Sequence, residues 1–330
     1  MKKNQLGKSD LYVSEIAFGA WAAGGWMWGG TDIDQSVKAI EKAIDLGMTT
    51  IDTAPAYGFG LSEEITGKAI KGKRHKVQIL TKYGLRWDTT EGTFYFETIS
   101  NDGKPVKMHK YASKQSVINE CEASLKRLGI DTIDLYQIHW PDPSTPVEET
   151  MEAIELLIQQ GKIRASGVCN YPVEGMKKAN SVVPVTSDQV PYSMIKRDIE
   201  EKIVPYCIRN QTGILAYSPL QRGVLTGKIL PGHAFKKGDT RADLPYYRHD
   251  NLLKTNNFLQ KIKPIADQKK ISLAQLVIMW TLKQPGISCV LVGARNPAQV
   301  EENAAAADVD LNIEEMLLIN NELNKLKLEL

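Results

Sequence analysis

The sequence predicts an α/β fold: one (β/α)8 TIM barrel domain over residues 1–330, with an N-terminal β-hairpin, long loops on the C-terminal face and an extra C-terminal helix. Three observations predict it. Short β-branched runs alternate about eight times with longer stretches of helical period, the rhythm of parallel strands joined by crossover helices. No GxGxxG follows the first strand, which argues against an open doubly wound sheet. No Pro/Ser-rich linker divides the chain, and eight strand–helix units take about 250 residues, leaving roughly 80 for loops and end pieces.

The segment Lys2–Val13 reads as a small hairpin around Gly7–Asp10, placed to cover the barrel floor. Strands are expected near Glu15–Phe18, Thr49–Thr53, Val77–Thr81, Ile133–Ile138, Ala165–Val168, Thr186–Gln189, Gly213–Ala216 and Ser288–Leu291. One helix runs from about Ser113, with Val117, Cys121, Leu125 and Leu128 inward, and stops at Gly129, so Cys121 reads as core. Another is expected to take Thr145 as its cap, Pro146 as its first residue and Glu148 as the carboxylate three residues after the cap. Its inward face is Val147, Met151, Ile154 and Ile158, and Gly161 supplies the left-handed residue that ends it. The excess length falls in the hairpin, in the aromatic, turn-rich stretch Leu85–Ala112, in Gln221–Asn251 and in a helical tail, Asn312–Leu330. The middle two follow strands, so they belong to the active face as lids.

Lys plus Arg total 41 and Asp plus Glu 39, a net charge of +2, which leaves no field for a nucleic acid backbone or an anionic membrane. No apolar run has signal-peptide or membrane-span length, and the expected location is the cytoplasm. The four cysteines are scattered and the histidines number five, without paired ligand spacing, so neither a disulfide framework nor a metal site is expected.

If the chain closes into a barrel, polar residues at strand ends meet in one pocket. IDTAPAYGFG gives Asp52 and Tyr57, ILTKYG gives Lys82, and DLYQIHWPD ends with His139. A phenol that exchanges protons near neutral pH needs a cation beside it; Lys82 supplies one, Asp52 keeps that lysine charged, and His139 hydrogen-bonds a carbonyl oxygen as charge develops on it. Singly, each residue has an ordinary structural reading as cap, solvated charge, packing or core histidine. Jointly they suit carbonyl reduction.

The motifs IDTAPAYGFGLSEE, ILTKYG, LGIDTIDLYQIHWPD, KIRASGVCNY and LAYSPLQRGVLTGK, in that order, resemble the aldo-keto reductase superfamily over nearly the whole chain, and look closest to its bacterial general-stress and sugar-aldehyde-type members. The resemblance implies a barrel that binds NADP(H) across its C-terminal face, with NAD(H) as the alternative, and makes Asp52, Tyr57, Lys82 and His139 the catalytic tetrad. It also implies that Cys169, Asn170 and Gln189 hold the nicotinamide amide, with Cys169 where relatives carry serine. Tyr217 would stack on the nicotinamide ring, and Ala20 and Trp21 would meet that half of the cofactor. Ser218, Leu220, Arg222, Lys228 and Arg241 would cradle the pyrophosphate. Gly293, Arg295, Gln299, Glu302 and Asn303 would meet the adenosine phosphate, Arg295 favouring the 2′-phosphate of NADP(H).

Trp21, Trp26, Trp28, Trp87 and Trp140, together with Tyr57 and His139, suggest an aromatic pocket for a small aldehyde, ketone or sugar. Arg86 is placed to meet an anionic substrate, and Gly24, Gly25, Gly29 and Gly30 suggest a pliable loop. Two other readings compete: a cofactor-binding regulator resembling the potassium-channel beta subunits, and a lyase or isomerase using Lys82 as a Schiff base.

Overall fold

The computed structural model describes residues 1–330. Strands β1 (Lys3–Gln5) and β2 (Tyr12–Ser14) form the antiparallel hairpin. Its apolar residues Leu6, Leu11 and Val13 pack against Ala17, Leu80, Leu135, Ala165 and Leu215, the lower layer of the barrel interior. Gly7 makes this fit: its φ is +58°, and a Cβ there would lie 2.4 Å from the Thr186 carbonyl oxygen. The hairpin therefore floors the barrel, as expected from the sequence.

The barrel strands are β3 (Ile16–Gly19), β4 (Thr50–Asp52), β5 (Gln78–Tyr83), then, after an insertion holding β6 (Leu85–Arg86), β7 (Thr93–Ile99) and β8 (Pro105–Lys110), the strands β9 (Ile133–Ile138), β10 (Ile163–Cys169), β11 (Val185–Pro191), β12 (Gly213–Tyr217) and β13 (Ile287–Gly293). They close in chain order, every neighbouring pair parallel, with β13 returning to β3. The crossovers carry α1 (Ile33–Asp45), α2 (Leu61–Ile70), α3 (Lys114–Leu128), α4 (Val147–Gln159), α5 (Val173–Asn180), α6 (Ile203–Asn210), α7 (His249–Lys269) and α8 (Leu273–Leu282). After β13 come α9 (Pro297–Ala304) and α10 (Ile313–Lys325).

Side chains alternate across each strand, and this places the chemistry. Leu80 belongs to the lower interior layer and Lys82 stands two residues above it; Leu135 is followed in the same way by Gln137 and then His139, and Leu215 by Tyr217. Outward residues such as Ile51, Ile79, Ile138 and Val290 join the core shared with the helices. A dry layer below and a polar layer above follow from a period of two.

Helix α3 begins and ends as its sequence implies: Ser113 accepts a hydrogen bond from the Ser116 amide, and Gly129 closes it at φ +64°. Helix α4 departs by one residue. Pro146, at ψ 132°, is the cap rather than the first helical residue, and no side chain caps the helix. The stretch Leu85–Ala112 is not a loop but a three-stranded antiparallel sheet in the order β6-β8-β7. The Asn101-Asp102-Gly103 turn and the flanking β-branched runs carry that signal. The tail also departs from a continuous helix: α10 stops at Lys325, and Glu329 leaves its axis to exchange backbone hydrogen bonds with the Asn251 side chain on α7.

Under β6 lies Glu120 of α3, buried and accepting the Gly84 amide at 3.1 Å. Burial pushes its pKa up to about 7, against the pull of Arg86, whose Nη1 is 3.7 Å away. Between the ordinary 4.5 and 7 the folded chain holds a proton that the unfolded chain has lost, so stability falls as pH rises through that window. The penalty approaches about 3 kcal/mol above it. Glu120→Gln keeps an acceptor for Gly84 and removes the titration, so its melting temperature should exceed that of the unsubstituted protein at pH 8, and by less at pH 5. A gap that does not widen with pH would contradict the argument.

Candidate active site

Asp52 ends β4, Lys82 is the second-to-last residue of β5, and His139 follows β9; Tyr57 stands in the turn between β4 and α2. Lys82 Nζ donates to Asp52 Oδ1 at 2.6 Å and to the Thr53 carbonyl at 2.9 Å. The same Nζ lies 4.9 Å from the centre of the Tyr57 ring, and the His139 ring meets that ring edge-on at 5.5 Å. The four residues named from the sequence are thus brought together.

Their charge states differ from the sequence argument in one respect. Tyr57 is partly exposed to the cleft, yet enclosed closely enough that burial pushes its pKa up to about 12, outweighing the downward pull of Lys82. Burial works against the Lys82 ammonium, but the neighbouring acidic groups, Asp52 foremost with Tyr57 and Cys169, together hold Lys82 above its ordinary value. Burial, then Lys82, holds His139 well below the usual imidazole range. At neutral pH the set is a protonated phenol, an ammonium and a neutral imidazole. It is a donor array, and a phenolate forms only at high pH.

Tyr57 is fixed by backbone packing rather than held on a pliable loop. A Cβ on Gly24 would lie 2.4 Å from the Tyr57 carbonyl oxygen, and one on Gly58 2.2 Å from the Gly24 oxygen. Asn101, from the turn joining β7 and β8, donates to that same Gly24 oxygen at 2.9 Å. The two glycines let the loop after β3 and the Tyr57 turn interlock.

Tyr57 and His139 open into a cleft of about 610 Å³ across the C-terminal face. Its walls include Cys169, Asn170, Gln189 and Tyr217 from the ends of β10 to β12. Asn170 donates to the His139 carbonyl at 3.2 Å and accepts from the Tyr217 hydroxyl at 3.0 Å, which orients both. Burial raises the Cys169 pKa well above normal, so it is a thiol.

Beyond Tyr217 the chain turns through left-handed residues, Ser218, Gln221 and Arg222 at φ +57°, +45° and +54°. Such backbone persists where the surroundings impose it. Here the Arg222 carbonyl accepts from the Tyr247 hydroxyl at 2.8 Å and from Arg241 Nη1 at 3.0 Å. The Arg222 guanidinium stacks 4.5 Å from the Trp21 ring and joins no ion pair, while Arg241 pairs with Asp239. Ser218, Leu220, Arg222, Lys228 and Arg241 all line the cleft.

On the far wall stand Gly293, Arg295, Gln299, Glu302 and Asn303. Lys228 spans the opening to Glu302 at 2.9 Å, and Asn296 caps α9 by accepting from the Gln299 amide. Arg295 joins no ion pair. Two uncompensated guanidinium groups along one cleft, with amides at its inner end, fit a dinucleotide with a phosphate chain.

Three sequence expectations fail on position. Ala20 is wholly buried and meets no cleft: its carbonyl accepts from Ser62 Oγ at 2.9 Å. Trp87 packs edge-on against Phe59 at 5.6 Å, behind the wall rather than in it. Arg86 turns to Asp88 and Ser116, away from the cleft. Trp21, Trp26, Trp28 and Trp140 do line it, joined by Leu85, Tyr95 and Phe96 from the inserted sheet. The aromatic and β-branched run Thr93–Ile99 ahead of the Asn101-Asp102-Gly103 turn is the signal that would have placed Tyr95 and Phe96 in ordered structure.

The aldo/keto reductase family model matches residues 15–323. The aldo-keto reductase YhdN of Bacillus subtilis (strain 168) is 40% identical over 325 residues, 97% of this chain and 93% of the relative. The NADH-specific methylglyoxal reductase of Escherichia coli (strain K12) is 35% identical over 319 residues, 94% and 95% of the two chains. Among solved structures, the glycerol dehydrogenase AKR11B4 from Gluconobacter oxydans superposes with a TM-score of 0.87 at 37% identity, covering 98% of this chain and 95% of that one. No helix is long and apolar enough to cross a membrane. With the closed parallel barrel and the match across nearly its full length, this chain belongs to the aldo/keto reductase family.

Proposed function

We propose that the protein is an NADP(H)-dependent oxidoreductase that reduces a small aldehyde, ketone or sugar carbonyl, with Tyr57 as proton donor. The observation that carries this reading is the buried Lys82–Asp52 pair set beneath Tyr57 at the mouth of the cleft. A nicotinamide cofactor would supply the hydride, with Tyr217 as the side chain its ring would rest on. Asn170, Gln189 and Cys169 would hold its carboxamide, the Ser218–Arg241 turn its phosphates, and the α9 side its adenosine end. The substrate lies between Trp21, Trp28 and Trp140, its oxygen within reach of Tyr57 and an N–H of neutral His139. As the carbonyl carbon is reduced, the Tyr57 proton passes to the oxygen, and Lys82 steadies the phenolate left behind.

Loss of the reduced-nicotinamide absorbance with a panel of aldehydes, ketones and sugars tests the reading; binding without turnover would favour the regulatory alternative. Arg295 carries the cofactor preference in this proposal. A hydrogen bond to a charged group is worth about 1.5–3 kcal/mol, so Arg295→Ala should weaken NADPH binding roughly 10- to 100-fold and leave NADH binding nearly unchanged. If titration shows both dinucleotides weakened alike, the 2′-phosphate is not what Arg295 meets.

A further inference from the structure

Below the tetrad the barrel holds one buried polar side chain, Gln137, that this chemistry leaves without a task. Gln137 is wholly buried on β9, two residues before His139 and on the same inward side. Around it stand Asp52, Cys169 and Gln189. The Asp52 carboxylate only accepts, and that fixes the direction of the bonds around it. Oδ1 takes Lys82; Oδ2 takes Gln189 Nε2 at 2.7 Å and, more weakly, Gln137 Nε2 at 3.4 Å. Gln189 Nε2 also faces Gln137 Oε1 at 3.3 Å, and the same oxygen accepts from Cys169 Sγ at 3.9 Å.

Both hydrogens of the Gln189 amide are thereby committed inward, and its Oε1, which no protein group satisfies, is left for the cleft that Gln189 lines. Gly167 gives the hub its room: a Cβ there would lie 2.9 Å from Gln137 Cγ. Resting on the reading of the cleft as a nicotinamide site, we propose that Gln137 is a positioning residue. It locks the Gln189 amide so that its oxygen meets a carboxamide N–H, and it ties that contact to the Asp52–Lys82 pair. The site then reads the donor face of the carboxamide, and a ring carrying an acetyl group in its place gains nothing from the locked oxygen.

Binding of NADP(H) and of its 3-acetylpyridine analogue, followed by tryptophan quenching, tests this without turnover. The unsubstituted protein should prefer the carboxamide form by about tenfold, the equivalent of one hydrogen bond. Gln137→Met, close in volume, should lose most of that preference while still binding both. Gly167→Ala pushes on Gln137 with its amide intact, and serves if Gln137→Met does not fold; the same loss is expected. A folded variant that keeps the full preference overturns the proposal, as does an unsubstituted protein that binds both forms equally. If the unsubstituted protein binds neither, the nicotinamide reading itself falls.

Discussion

Tyr57→Phe lowers carbonyl reduction by about 10²- to 10⁴-fold, the usual worth of a positioned general acid, while cofactor binding holds nearly constant. The substitution removes one oxygen from a ring that keeps its edge-on contact with His139 and its place over Lys82. The interlocked Gly24 and Gly58 backbones hold the turn whatever the side chain, so the loss falls on the chemical step rather than on folding. The pH dependence follows from the raised pKa. With Tyr57 pushed up to about 12, the donor form is full throughout the neutral range, and reduction should show no loss that tracks this group between about pH 6 and 9. Alcohol oxidation needs the phenolate, so its rate should climb with pH across the same interval. Stopped-flow rates for both directions check the pair of statements. A variant within a few-fold of the unsubstituted rate would remove Tyr57 from the acid role.

The sequence shows the barrel because each strand is a short β-branched run, each crossover has helical period, and period-two alternation puts Lys82 above Leu80 and His139 above Leu135 on one side. The tetrad is legible for the same reason: its members sit at or just beyond strand ends, where closure must gather them. What stays hidden is what depends on contacts between distant segments. Ala20 is one residue from a true wall residue, and only the packing that buries it completely takes it out of the cleft. Trp87 and Trp140 carry the same side chain after neighbouring strands, but Phe59 takes one out of the cleft. Gln137 lies on the His139 side of its strand and was open to the same period-two argument, yet its value comes from Gln189 and Cys169, which belong to other strands. The direction of the Tyr57 shift was also beyond sequence, because it is a contest between enclosure and Lys82 that only packing decides.

Lys82→Met is expected to cost more than activity. Both partners of the Lys82–Asp52 pair are almost wholly buried, with side chains 0% and 4% exposed, so the substitution leaves an acceptor-only group facing Met where an ammonium stood. Breaking a buried pair from one side destabilises a fold by about 3–5 kcal/mol, because the remaining charge loses its compensation. Thermal melts should therefore show a large drop for Lys82→Met and for Asp52→Leu, the second leaving the ammonium. The double substitution should recover part of the stability, since no charge is left to compensate, while Gln189 Nε2 still lacks the acceptor it had at 2.7 Å. It should recover none of the turnover: with Lys82 gone nothing steadies the Tyr57 phenolate, and its pKa rises further. That split separates two roles a single variant confounds. If the double variant melts no higher than either single one, the pair is held by packing around it rather than by its charge; if it regains reduction, the ammonium is not part of the proton path.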